Sequence, residues 1–163
     1  MNILLTGTPG TGKTKVAEEL GKKGYEIIDL KPVIEKYKTG FDRKLKCKIV
    51  DEKKLGKEID KILKKKDNAV VESHLSHFSK KNIVFVLRCD IKELKKRLEK
   101  RGYSKNKINE NITAEIMQVI LDEAVKKGHK VIEIDTTGKT AKKSAEEVIN
   151  FAEKYSSFNN LQN

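Results

Sequence analysis

Gly7-Thr8-Pro9-Gly10-Thr11-Gly12-Lys13-Thr14 follows the apolar run Ile3 to Thr6 and precedes a helical pattern that begins at about Lys13. The spacing is G-x-x-x-x-G-K-[ST], and a strand before it and a helix after it are the setting in which that motif works. Its glycines let backbone N–H groups turn inward around a β-phosphate, and the positive end of the following helix adds to the attraction. Gly7, Pro9, Gly10, Thr11, Gly12, Lys13, Thr14 and Lys15 are therefore the expected contacts to ATP. Lys13 is expected to reach the β/γ oxygens and Thr14 to ligate Mg²⁺.

Outward from the loop, β-rich apolar runs at Ile3 to Thr6, Tyr25 to Ile28, Ala69 to Glu72, Ile83 to Leu87 and Val131 to Ile134 alternate with helical stretches. Buried strands separated by helices predict the α/β class, with a doubly wound five-stranded parallel sheet. Helices are expected from Lys13 to Gly21 and from Ile91 to Lys100, the latter with Asp90 as N-cap and Gly102 at its end. Two more are expected, from Thr113 to Lys127 and from Thr140 to Tyr155. The forty residues between the second and third strands hold Pro32, Gly40 and an amphipathic stretch, Lys53 to Leu63. They exceed a plain crossover and are expected to build a substrate site. A single domain over 1–155 with a frayed polar tail at 156–163 completes this organisation.

The chain has 163 residues, and 36 basic against 24 acidic side chains leave it at +12. With 37% hydrophobic residues it can bury a core and is not disordered. No apolar run approaches the roughly 18 residues that a membrane helix needs, and no signal peptide is visible. Cys47 and Cys89 are too few and too far apart for a disulfide framework or a metal knuckle; both read as packing residues, which suits a reducing, cytoplasmic setting. Such a charge favours polyanions through phosphate contacts with or without a specific site. Aromatic residues make up only 6%, without a stacking cluster, and the Lys runs 64–66 and 142–143 read as solvated helix ends. Only four of the basic residues are Arg, and three of them, Arg88, Arg97 and Arg101, fall within fourteen positions.

A GTPase would need Asp-x-x-Gly after the third strand and an Asn-Lys-x-Asp guanine reader. Asp135-Thr136-Thr137-Gly138 spells the first after the fifth strand instead, and reads as a turn. A hexameric motor ATPase needs more chain for its second subdomain. The loop, Val70-Val71-Glu72-Ser73-His74, Val86-Leu87-Arg88-Cys89-Asp90, Arg97-Leu98-x-x-Arg101-Gly102-Tyr103, Glu110-Asn111 and Ala114-Glu115-Ile116 together resemble the atypical adenylate kinases of the isoenzyme-six class, from Met1 to about Phe151. That resemblance implies a P-loop NTPase fold of the nucleoside monophosphate kinase type, with an acceptor-binding insertion at about 28–51 and a short lid at about 101–112. It further implies a broad-specificity kinase with ATPase activity, acting on AMP or another monophosphate. A role in small-subunit ribosomal RNA maturation, through a ribosomal protein of the small-subunit platform and in proximity to RNA, is implied as well.

Arg97 and Arg101 lie four apart on a predicted helix, hence on one face, at the start of the lid. In the adenylate kinase superfamily that this spacing resembles, the first arginine lies against adenine and the second clamps phosphates. Ser104 to Asn111 makes a very short lid in which Lys105 and Lys107 replace further arginines. Asp29, Lys36, Lys38 and Arg43 are the acceptor-binding candidates of the insertion. Arg88, at the end of a core strand, either holds the acceptor phosphate or pairs with an acid. Glu72 ends a buried strand at the carboxyl edge, where it could meet Mg²⁺ through a bound water, or simply end a strand. His74 and His77 form H-x-x-H without the cysteines or acids of a zinc site. His74 matches the resembled motif and could orient Glu72, relay a proton or position a water; otherwise it is a loop histidine bonded to backbone. His77 has no such match, and His129 reads as surface. Three activities therefore stand open: a monophosphate kinase, a chaperone-like ATPase on a ribosomal partner, and a small-molecule kinase of shikimate-like type.

Overall fold

The computed structural model describes residues 1–43, 47–80 and 83–160. Along the chain run β1 (Ile3–Gly7), α1 (Lys13–Lys22), β2 (Glu26–Asp29), α2 (Lys31–Lys36), β3 (Lys38–Asp42), β4 (Cys47–Val50) and α3 (Glu52–Leu63). There follow β5 (Ala69–Glu72), a 3₁₀ turn (Ser76–Phe78), β6 (Ile83–Arg88), α4 (Ile91–Lys100), α5 (Lys105–Ile116), α6 (Val119–Lys126), β7 (Lys130–Asp135) and α7 (Ala141–Asn160). Five of the strands form a parallel sheet in the order β2-β5-β1-β6-β7. The phosphate loop thus leaves the central strand, where helices on both faces exclude water.

Strand alternation divides the core into two layers. Ile3 and Leu5 point with Val70, Phe85 and Leu87 to one face, under Val16 and Leu20 of α1 and Val148 and Ala152 of α7. Leu4 points with Val71, Val84 and Val86 to the other, under Leu55 and Ile59 of α3 and Ala124 of α6. Cys89 joins Leu94, Leu98 and Ile108 in a smaller cluster that ties α4 to α5. A Cβ on Gly56 would stand 2.1 Å from the carbonyl oxygen of Phe78, so only glycine lets α3 approach the 3₁₀ turn this closely. All five predicted sheet strands occur, but the edge strand β2 is largely exposed rather than buried.

Three local expectations are corrected, and one element was not foreseen. Within 28–51, β3 and β4 pair antiparallel as a separate hairpin, with Phe41 opposite Lys48. Ser104 to Asn111, the expected short lid, is helical well before Thr113: Ser104 accepts a hydrogen bond from Lys107 N and caps α5. The single helix expected from Thr113 to Lys127 is two, divided at Gln118, which takes a left-handed backbone with φ 54°. Glu115 and Ala124 are both buried, and nine residues apart on one straight helix they would face about 180° from each other. The break turns both inward. Finally, α7 continues past Tyr155 to Asn160, so the helix takes in the first five residues of the expected tail; 161–163 lie outside the described residues, as does the side chain of Cys47.

Candidate nucleotide site

The loop is held open by its own backbone and closed from below by Lys13. A Cβ on Gly10 would lie 2.7 Å from Leu94 Cδ1 and its φ is 98°, so glycine alone lets the loop settle on α4. Lys13 is 8% exposed, and its Nζ donates to Gly7 O at 2.8 Å and to Thr8 O at 3.1 Å. Burial draws its ammonium down from the ordinary lysine range to about 8; Glu72 and Glu115 oppose the shift and Arg101 reinforces it.

Glu72 ends β5 beside Lys13 and pairs in register with Leu5 and Asp29. Burial raises its carboxyl above the usual range, against the pull of Lys13, Lys31 and the Thr14 hydroxyl. Thr14 itself is exposed in the first turn of α1. Two hard oxygen donors, the Glu72 carboxylate and the Thr14 hydroxyl bonded to it, therefore lie together, which suits Mg²⁺, an ion that takes one or two protein groups together with phosphates and waters. Among the described residues no group of three or more His, Cys, Asp or Glu could hold a metal, which argues against zinc at H-x-x-H.

His74 is exposed at the same sheet edge. Withdrawal from water, tempered by that exposure, and the charges of Lys13, His77 and Lys107 hold its pKa below the usual imidazole range. His77 is different: it is fully buried, its Nε2 lies 3.0 Å from Glu123 Oε2, and its Nδ1 lies 3.2 Å from Thr6 Oγ1. The carboxylate requires the proton on Nε2, so Nδ1 accepts from the threonine in a neutral ring. His129 is corrected from surface to buried, its Nε2 donating to His77 O at 2.7 Å. The Lys-rich residues on both sides of it concealed that.

A cleft of about 720 Å³ opens beside the loop, lined by Gly10, Gly12, Lys15, Arg97, Arg101 and Thr136, among others. Arg97 donates to Glu93 at 3.0 Å and to the hydroxyl and carbonyl of Thr136, each at 3.1 Å. The hydroxyl of Thr136 lies 2.9 Å from both Thr11 O and Arg88 O. The Asp135-Thr136-Thr137-Gly138 stretch, read as a turn, therefore touches the phosphate loop. Arg101 is exposed on the cleft wall, near enough to Lys13 for its charge to be felt there.

The acceptor candidates are not gathered in the same way. Asp29 neighbours Glu72, and its Oδ1 accepts from Lys31 N at 2.9 Å. Lys36 is exposed, 3.8 Å from Glu58, and Lys38 pairs with Glu35 at 3.6 Å. Arg43 stands exposed at the turn after β3. Arg88 pairs with acids in this structure: Nε donates to Glu115 at 2.7 Å and Nη1 to Glu133 at 2.9 Å. Sequence reading missed Thr136 and Glu115. The visible signal for Glu115 was a carboxylate three and seven residues after Ile112 and Ile108, at helical spacing on their face.

A family model described as an AAA domain matches residues 3–118. A protein of Methanocaldococcus jannaschii named "Putative adenylate kinase" is 41% identical over 152 residues, covering 91% of this chain and 84% of its own length. Its namesake in Methanosarcina acetivorans is 47% identical over 157 residues, with the same coverage. Among solved structures, the YorR protein of Bacillus subtilis in complex with phosphorylated GDP superposes with a TM-score of 0.65 at 21% identity, over 94% of this chain and 96% of its own; at that identity the likeness speaks for the fold alone. With the phosphate loop on the central strand and relatives above 40% identity along nine-tenths of its length, the chain belongs to the family of these archaeal adenylate-kinase-like P-loop proteins.

Proposed function

We propose that this chain is a nucleoside monophosphate kinase that moves the γ-phosphoryl group of ATP to AMP, giving two ADP, and that it hydrolyses ATP when the acceptor is absent. The observation that carries this reading is the burial of Lys13 on the loop carbonyls, beside Glu72 and below a cleft walled by Arg97 and Arg101. Phosphoryl transfer is chiefly positioning and charge neutralisation, and these residues supply both. Lys13 exchanges its carbonyl partners for the β/γ oxygens, Arg97 lies against the base, and Arg101 meets the charge that spreads over the transferred group. Thr14 would hold Mg²⁺, with Glu72 reaching it through water, and the ion would neutralise negative charge on the phosphates. His74 orients Glu72 or the attacking water. Asp29, Lys36 and Arg43, in the part of the single domain at 28–51, face the acceptor, and 101–112 serve as lid.

The ion pairs of Arg88 favour a second reading, a chaperone-like ATPase. With Arg88 engaged by Glu115 and Glu133, Arg43 is the guanidinium that the acceptor candidates keep. A platform ribosomal protein of the small subunit, RNA near the basic surface and a cytoplasmic setting accord with the resemblance and with the +12 charge. One experiment separates the readings: incubation with γ-labelled ATP and Mg²⁺, with and without each monophosphate, resolving labelled diphosphate from free phosphate. Label in the diphosphate that depends on AMP is the expected result. Free phosphate alone, indifferent to every monophosphate, would leave hydrolysis as the activity.

A further inference from the structure

Glu115 is 3% exposed and spends its acceptors on two separate pieces of the fold, the phosphate loop and the end of β6. Its Oε2 accepts from the hydroxyl of Thr8 in the phosphate loop. Its Oε1 accepts from Arg88 Nε at 2.7 Å and from the backbone N of Cys89 at 3.3 Å, and its carbonyl accepts from Arg88 Nη2 at 3.2 Å. Burying a carboxylate costs several kcal/mol unless its partners are well placed, and an apolar side chain would close the same space at lower cost. These contacts therefore do more than fill a gap.

Thr8 offers its hydroxyl to Glu115 and its carbonyl to Lys13 Nζ. The carboxylate thus grips the same peptide segment on which the loop lysine rests. Glu115 also sits in the last turn of α5, whose other end follows Arg101 and Gly102. Near that end, Lys107 is close enough to lower the pKa of His74. Eight residues separate Lys107 from Glu115, about 12 Å of helix, and Ile108 beside Lys107 packs on Leu94 and Leu98 of α4, so a shift at Glu115 is carried along α5 to the Arg101 end of α4.

We propose that Glu115 is a positioning residue that locks lid helix α5 in register with the phosphate loop, through Thr8 on one side and Arg88 on the other. It touches no reacting atom. It fixes where Arg101 and Lys107 stand relative to Lys13, so it acts on turnover through those groups. The effect on turnover rests on the kinase reading above; the mechanical link between α5 and the loop does not.

The test compares Glu115→Gln, Thr8→Val and the double variant, with Glu133→Gln as control because Glu133 holds Arg88 from β7. Three readouts are taken: backbone amide exchange at 8–14 and 105–116, kcat and KM, and melting temperature. Either single change is expected to speed exchange in both segments together, by about ten-fold, and to lower kcat by about ten-fold with KM for ATP moving less than about three-fold. The double variant should lose little more than either single one, and Thr8→Ser, which keeps the hydroxyl, should restore both readouts. Glu133→Gln should change neither. Faster exchange confined to 105–116, additive losses in the double variant, or a lower melting temperature with normal kcat per folded molecule would each overturn the proposal. If Glu115→Gln does not fold, Thr8→Val leaves the Arg88 pair intact and decides alone. A wild type that transfers no phosphoryl group defeats the kinase reading, while the exchange measurement still judges the link.

Discussion

At the scale of single residues, Lys13 carries the sharpest expectation. Its free ammonium is drawn down to about 8 by burial, and phosphates of a bound nucleotide would return it toward the ordinary lysine range. Between those values the free protein has lost a proton that the complex holds, so ATP binding should take up a proton above about pH 8 and almost none at pH 7. Calorimetric titration in buffers of different ionisation enthalpy measures this directly. Lys13→Ala should abolish the uptake and lower kcat by more than ten-fold, about 1.4 kcal/mol or more; uptake that persists would assign the proton to another group. The two loop histidines separate by burial. His74→Gln should slow hydrolysis about ten to a hundred-fold with an unchanged melting temperature, because the ring is exposed and contributes little core. His77→Ala should instead cost about 2–4 kcal/mol of stability, since it empties a buried site and leaves Thr6 and Glu123 without their ring. Comparable melting temperatures for the two variants would contradict this division.

At the scale of elements, what could be read from the sequence was what local physics decides. The loop motif, the five strand runs and the caps Asp90 and Gly102 depend on neighbours within a few positions, and the structure has them where the pattern put them. The break at Gln118, the burial of His77 and His129 and the anchoring of Glu115 depend on partners 26 to 107 residues distant, which no window along the chain contains. The hairpin β3–β4 was hidden for another reason: Lys38-Thr39-Gly40-Phe41-Asp42 has neither the apolar run nor the alternation by which a strand is recognised. The helix break also yields an expectation. A left-handed backbone costs a non-glycine residue about 1–2 kcal/mol, and glycine loses about half of that gain to its greater freedom when unfolded. Gln118→Gly should therefore raise stability by about 0.5 kcal/mol, and Gln118→Ile, β-branched, should lower it by more than that. Chemical denaturation of the two variants checks the sign; destabilisation by glycine would mean that the Gln118 side chain, not its backbone, holds the junction.

For the whole molecule, acid stability should be set by a buried ring rather than by the +12 surface, and salt distinguishes the two. His77 uses both ring nitrogens in the neutral form, and burial, followed by the charges of Lys127 and His129, lowers its pKa to about 4. An unfolded histidine titrates near 6.5, so between about 6.5 and 4 the unfolded chain binds a proton that the folded one refuses. Stability is then complete above about pH 6.5 and falls as the pH drops through that window, by about 3 kcal/mol from His77, and His74, also held below the imidazole range, adds to the fall in the same direction. Glu123 works against this near the bottom of the window, because burial raises its carboxyl and the folded state gains when it is protonated. Repulsion among surface lysines also grows as carboxylates protonate, but charges in water are screened beyond roughly 8–10 Å at ordinary salt, whereas the short contacts of the buried His77 ring are screened much less. Calorimetry from about pH 7.5 to about pH 4 should therefore show nearly the same loss in about 0.05 M and about 0.5 M NaCl. His77→Gln, which gains no proton in this range, should start less stable and fall less. A wild-type slope that vanishes in high salt, or a His77→Gln slope as steep as the wild type, would move the acid sensitivity from the buried histidine to the lysine-rich surface.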